Sequence, residues 1–420
     1  MPALTGTANR LLTDDKLMRE SLRLLKNNLV AARLINRSAA QEFTKPRKIG
    51  ETINVKKPFR VKVRTNRTYS AKPLIDESVA ITVDKIVGVD LEFDQEDRTL
   101  SINEFSSRYL ASAMSSIAHE VDRDLLTNLN QAAFYGSGTP GTAINSNNFN
   151  RARAMMEKVG VPTDGMTSAV IDPEDAAEID IALKSHYNEK IVAAAIKNSY
   201  MGPLAGVECF STAQQPTHAV GAHGGTPLVN GASQSGTSLV TDGWTASAAI
   251  LNVGDQFTIA NVYEVNPQTY QSTGRLQRFT VTAAATADGS GNATLTISPG
   301  INDGSNTALD GDGNNVSLAA YQNVDSEPAD NAAITVVGTA STTYRSATLF
   351  HRDSMMFVPV PISLPESAHI KERVTDPDSG LSLLMTADYD ITNFKQKYRI
   401  DFLYGRKACY PELIHKVWSA

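Results

Sequence analysis

The sequence predicts an α+β protein whose chain is interrupted by an all-β insertion. Three observations predict it. The N-terminal part mixes helix-period and strand-period stretches, and a segment of alternating apolar residues closes the chain. Between them, from Asn198 to Ile370, runs a lysine-free interval rich in Gly, Ser, Thr, Asn and Ala, within which Val220 to Tyr344 reads as short strands and turns. At 420 residues the chain also exceeds what one hydrophobic core organises, so a second domain or a large insertion is expected.

Met18, Leu22, Leu25 and Leu29 recur at helical spacing with Arg19, Arg23 and Lys26 on other faces, so residues 14–37 are expected to form one amphipathic helix. Ile53, Val55, Phe59, Val61 and Val63 then alternate with Asn54, Lys56, Arg60, Lys62 and Arg64, the period of a strand with one polar face. Pro58 has no N–H to give, which puts that strand at an edge or in a bent hairpin arm. In a second run Val79, Ile81, Val83, Val87, Val89, Leu91 and Phe93 share one face, with Asp84, Asp90, Glu92 and Asp94 opposite. Between Thr44 and Pro73 the cations, among them Lys56, Lys57, Arg60, Lys62, Arg64 and Arg67, meet a single acid, Glu51. The basic and acidic runs could pair across one sheet, or the basic arm of one copy could meet the acidic strand of another.

Ser101 to Glu104, SINE, has capping-box spacing, and Leu110, Met114, Ile117, Val121 and Leu125 continue at helical intervals. A helix of about 30 residues is expected there, ended by the glycines of YGSGTPG from Tyr135 to Gly141. Asp172-Pro173-Glu174 opens another helix with proline in its first turn, and residues 188–198 read as helical. From Val220 to Tyr344 the stretches GDQFTIANVYEV, QRFTVTAAAT, NATLTISPG and AAITVVG are strands, separated by turns such as ADGSGN and DGDGNN. YRIDFLYGRKACYPELIHKVW alternates apolar residues and returns the chain to its first style.

Composition narrows the function. No run approaches the roughly 18 apolar residues of a membrane span, and charges stand in the N-terminus where a signal peptide has its apolar segment. The net charge of −6 does not suggest a protein that coats nucleic acid. Cys209 and Cys409 are too few for a disulfide framework, as expected of a chain made in a reducing cytoplasm. In QQPTHAVGAHGG, Gln214 to Gly225, the histidines His218 and His223 lack a third metal ligand, and the segment reads as a flexible seam with incidental histidines. Asp310-Gly-Asp312-Gly-Asn314 starts like a calcium loop, but Asn315 stands where glycine is wanted and Tyr321 where a bidentate glutamate belongs, so it reads as a surface turn. YGSGTPG lacks the Lys-Ser/Thr of a phosphate loop, His119 beside Glu120 lacks a partner motif, and no GxSxG or HExxH occurs. No enzyme, cofactor or metal site is expected.

One segment carries a resemblance. GPLAGVECFSTAQQPTHAVG, Gly202 to Gly221, is similar at Gly206, Val207, Ser211, Pro216, Thr217, His218 and Gly221 to the G-apolar-x-x-x-x-S…P-T-H-x-x-G segment of the major capsid proteins of short-tailed phages, the branch typified by a Salmonella podophage coat protein. In that family the segment precedes an inserted β-barrel domain. The resemblance implies the tailed-phage capsid fold of the Hong Kong 97 type, in this order: N-terminal helical arm 1–43, extended β loop 44–78, peripheral strand and long spine helix 79–135, axial α/β domain 136–219, inserted β barrel 220–345, and a return to axial and peripheral domains over 346–420.

It further implies a shell of pentamers and hexamers of this chain around packaged double-stranded DNA, assembled in the host bacterial cytoplasm. A scaffolding protein, a portal protein at one vertex and decoration proteins are the partners it implies, with no membrane. On that reading Lys56, Lys57, Arg60, Lys62, Arg64 and Arg67 face Asp84, Asp90, Glu92 and Asp94 across subunit contacts, because a basic hairpin on an acidic strand gains steering and register. A glycan-binding or adhesive protein acting through the β insert is the alternative; it leaves the helical arm and the charged strands without a purpose.

Overall fold

The computed structural model describes residues 14–38, 50–58, 60–63, 67, 77–94, 109–183, 203–204, 206–309, 315–365, 370–390, 392 and 395–420. They divide into two compact units, one drawn from 1–53, 80–125 and 356–407, the other from 54–79, 126–355 and 408–420. Among the described residues no helix is long and apolar enough to cross a membrane.

In the first unit a sheet runs in the order Thr52–Lys56, Ser78–Asp94, Lys395–Ala408, Ser382–Asp390, Ile370–Thr375, with Met355–Val360 also pairing with Lys395–Ala408. Strand alternation puts Tyr398, Ile400, Phe402 and Tyr404 in the core, where Phe357 lies 5.5 Å from Tyr404 and 6.3 Å from Phe402 between ring centres. The helix Asp14–Asn28 packs on the strands Ile370–Thr375 and Ser382–Asp390. Met18, Leu22 and Leu25 face inward, as the spacing predicts, and Leu17 joins them.

That helix does not continue to residue 37. It stops at Asn28, and a separate turn of helix covers Ala31–Leu34. The cause is Asp122, 1% exposed, whose carboxylate accepts the N–H of Val30 at 2.6 Å and of Ala32 at 3.2 Å. Those amides would have bonded carbonyls one turn back, and a buried anion is the stronger acceptor. The long helix is described over Ala111–Ala132, with Met114, Ile117, Val121 and Leu125 buried. The SINE box, and the helix expected over 188–198, lie outside the described residues.

In the second unit a sheet runs Tyr135–Ser137, Ile414–Trp418, Ser346–His351, Thr167–Ile171, Val207–Ser211, Pro203–Leu204. The helix Ser146–Val159, capped by the Asn145 side chain, closes its core with Phe149, Ala152 and Met156 against Ala169, Leu349 and Val417. Pro173–Leu183 is the helix that Asp172-Pro173 predicts, and the Asp172 carboxylate accepts the Glu174 N–H at 2.9 Å. The glycines of YGSGTPG do not end the long helix. Tyr135–Ser137 is a strand parallel to Ile414–Trp418, because the closing strand offers a ladder edge that residues this far away in sequence can pair with.

The insertion is a barrel. Its sheet runs Ile334–Val336, Gln256–Val265, Ser272–Val281, Ala293–Ile301, Gly236–Trp244, Gly225–Val229. The first and last strands meet through a bridge from Leu228 to Ala333, Val229 N–H to Ala332 O at 3.0 Å and Asn331 N–H to Val229 O at 2.9 Å. Closure leaves no free sheet edge. Alternating side chains fill the interior, with Phe257 stacked on Phe279 and Leu239, Leu295, Ile297 and Ile334 around them.

Candidate assembly surfaces and the neck of the insertion

The basic arm starts as the strand Thr52–Lys56, shorter than the alternation predicts. The strand is antiparallel to the start of Ser78–Asp94, with Val83 N–H to Glu51 O at 3.1 Å and Lys57 N–H to Glu77 O at 2.8 Å. Pro58 then interrupts the ladder, and side chains take over. Lys57 sits 3.9 Å from the Glu77 carboxylate and 5.6 Å from the centre of the Tyr410 ring. Arg60 pairs with Glu412 at 2.8 Å and lies 6.0 Å from the Tyr321 ring centre. Lys62 lies 4.4 Å over Tyr270. These cation–π seats engage the charged side chains, and among the described residues of the arm Val61 and Val63 are 63% and 85% exposed. Lys56 and Arg67 are exposed, and Arg64 lies outside the described residues.

The acidic strand finds its counter-charges on Lys395–Ala408. Register places Asp90 opposite Arg399, Glu92 opposite Lys397 and Asp94 opposite Lys395. Lys395 reaches Glu92 at 2.5 Å, Lys397 reaches Asp390 at 2.8 Å and Arg399 reaches Asp401 at 2.8 Å. Asp84 is exposed where the ladder shifts register. Of the two pairings open in the sequence, the single chain joins the starts of the two strands in one sheet. Of the acids, Glu92 is ion-paired from a third strand, through Lys395, and Asp90 and Asp94 lie opposite cations of that strand in register.

The seam QQPTHAVGAHGG contains a short paired strand, and its histidines are not incidental: both have partners. His218–Ala219 pairs antiparallel with Thr343–Tyr344, so the chain enters and leaves the barrel through one two-stranded neck. His218 is buried and its Nε2 lies 2.7 Å from Asp255 of the barrel. The same carboxylate accepts the N–H groups of Gly221 at 3.0 Å and Asn252 at 2.7 Å. Burial holds His218 below the usual imidazole range, against the hydrogen bond to Asp255. Gly221 passes so close to the Ile250–Leu251 backbone that a Cβ would stand 2.7 Å from Leu251 Cα, which requires glycine at that motif position. His223 is half-buried, its Nε2 3.4 Å from the Gly338 carbonyl. The sequence carried no local sign of Asp255, Glu412, Tyr270, Tyr321 or Tyr410, because each meets its partner across a long stretch of chain.

A family model described as P22 coat protein, gene protein 5, matches residues 13–416. No curated protein matches. Among solved structures the chain is similar to that of Mycobacterium phage Che8, at 12% identity over 93% of this chain and 90% of that one, with a TM-score of 0.46. It is similar to the capsid of Ralstonia phage GP4 at 8% identity over 93% and 88%, with a TM-score of 0.44. The CUS-3 coat protein I-domain is 31% identical over 28% of this chain and 98% of its own length, with a TM-score of 0.19.

Proposed function

Because the chain belongs to the P22 coat protein family, a family of major capsid proteins, we propose that its copies assemble through pentamers and hexamers into an icosahedral shell around a double-stranded DNA genome. The observation that carries this is the span of the family match, residues 13–416, which takes in arm, spine helix, insert and closing strand alike. A role confined to the β insert, such as glycan binding, draws no support from a match of that extent. The role is structural rather than catalytic, with a scaffolding protein during assembly in the host cytoplasm, a portal protein at one vertex and decoration proteins as the further partners of the finished particle.

Subunit contacts of this shell use the arm residues Lys56, Lys57, Arg60, Lys62, Arg64 and Arg67 and the strand acids Asp84, Asp90, Glu92 and Asp94. Supporting this, Val61 and Val63 stand exposed in the single chain, and a heterologous contact in a closed ring gives each arm a neighbour to cover it. The net charge of −6 suits an inner wall that faces DNA without gripping it, since each Lys or Arg contact to phosphate adds affinity through counterion release.

Sedimentation velocity with negative-stain electron microscopy, with and without co-expressed scaffolding protein, tests the reading. Closed shells or tubes are expected, and a persistent monomer under both conditions would overturn it. Reversing the charges of Lys56, Lys57, Arg60 and Arg64 together should impair assembly or its salt resistance; normal shells from that variant would remove the arm from the interface. Tight DNA binding by the free subunit at physiological salt would count against the wall argument.

A further inference from the structure

The neck holds a group of titratable side chains apart from the charged arm and the acidic strand. Lys416, on the closing strand Ile414–Trp418, is fully buried, and its Nζ has no hydrogen-bond partner. It lies 3.8 Å over the Trp418 ring. That ring stands edge-on to His218 at 5.5 Å and to Tyr344 at 6.2 Å, one from each strand of the neck. Trp418 also donates its Nε1–H to Gln256 of the barrel at 3.0 Å. Val220, Tyr344 and Trp418 form the apolar core of this joint. The closing strand and the neck are therefore packed through one indole ring, with an ammonium on one side and an imidazole on another.

The charges facing this group are unbalanced. Asp255 is the carboxylate at the centre, already accepting from His218, Gly221 and Asn252. From the barrel strand Ser272–Val281 come two arginines. Arg278 lies near Lys416 and bonds Gln256 at 3.3 Å, and Arg275 pairs with the buried Glu264 at 2.9 Å. On the neighbouring position of the closing strand His415 is fully buried, and neither ring nitrogen has a hydrogen-bond partner. Tyr135, on the strand paired with it, is half-buried, and desolvation holds its phenol protonated. Of the charges that act on Lys416, Asp255 favours its cation and Arg278 opposes it. An aromatic face stabilises an ammonium by less than dry burial costs it.

We propose that the neck is a pH-operated joint, closed while Lys416 and His218 are neutral and opened when they take up protons, so that acid loosens the barrel's attachment to the closing strand. Burial pulls Lys416 down to about 7, Asp255 opposing and Arg278 adding to the pull. Burial likewise lowers His218, and takes His415 down to about 3. The sign follows from proton counting. Lys416 is neutral in the closed joint and binds a proton at its ordinary value of 10.5 once solvated. The open state therefore holds more protons over that window, and closure weakens as pH falls through it and is fully lost to this group below about 7. His218 extends the same trend below its ordinary value of 6.5.

Hydrogen–deuterium exchange of the full-length unassembled subunit, corrected for the intrinsic rate at each pH, tests this. One linked proton changes the opening constant by up to tenfold per pH unit. Peptides covering 216–222, 342–346 and 414–420 should thus lose up to about 100-fold in protection between about pH 9 and about pH 7, while the barrel strand Ala293–Ile301 stays flat. Lys416→Met should hold the neck protected and flat over that range, and Lys416→Arg should leave it open throughout. A flat wild-type neck, or an undiminished slope in Lys416→Met, would overturn the proposal. Should neither variant fold, the wild-type slope relative to Ala293–Ile301 decides alone.

Discussion

Replacing Asp122 with alanine should cut the free energy of unfolding by about 2–4 kcal/mol, a loss worked from hydrogen bonds to a charged acceptor at ~1.5–3 kcal/mol each. Two amides, Val30 at 2.6 Å and Ala32 at 3.2 Å, lose their acceptor. Ala31 and Ala32 are fully packed, so water cannot replace it without opening the turn. Part of the loss is returned, because burial already holds the carboxyl above its usual range against the pull of these backbone bonds, and removing a desolvated anion relieves that cost. Asp122→Asn should fall between wild type and alanine, keeping one acceptor oxygen and turning an N–H toward the other amide. The assay is urea unfolding of the unassembled subunit by far-UV circular dichroism, with hydrogen exchange of residues 14–38 read alongside. A loss under about 0.5 kcal/mol, with unchanged exchange over residues 28–32, would refute the claim that Asp122 breaks the helix.

Three further outcomes are expected. His415→Phe should flatten the acid limb of the stability profile. His415 is neutral when folded, at about 3 against 6.5 unfolded, so its contribution is present above 6.5 and lost as pH falls through that window, on the order of 4–5 kcal/mol in total. Melting temperatures at about pH 7 and about pH 4 measure it. Gly138→Ala should destabilise the closing strand by about 2–4 kcal/mol, because φ is +78° and a Cβ would stand 2.5 Å from the Trp418 carbonyl oxygen; thermal melts check this. Tyr321→Ala with Glu412→Gln should leave global stability within about 1 kcal/mol, as exposed pairs do. The same double variant should speed proteolysis around residues 57–63, where Arg60 loses both seats.

Periodicity in the sequence determined which residues face inward. Met18, Leu22 and Leu25, Ile81 and Val83, and Phe257, Ile259, Phe279 and Leu295 are all buried in elements whose spacing announced them, because the burial of one face is a local property of helix and strand geometry. The β character of the insertion was readable for the same reason. Its closure into a barrel was not, since the Val229–Ala332 bond joins strands that are first and last in the sheet. Only tertiary structure decided where the first helix breaks, with Asp122 arriving from 92 residues away. Tertiary structure alone also answered Glu92 with Lys395, seated Arg60 on Glu412, and turned His218 from a loop residue into the partner of Asp255. Each of these is a charge finding its counter-group through space. Spacing along the chain carries no trace of such a meeting, because chain closure, not the local sequence, sets which charges share a dry or half-dry environment.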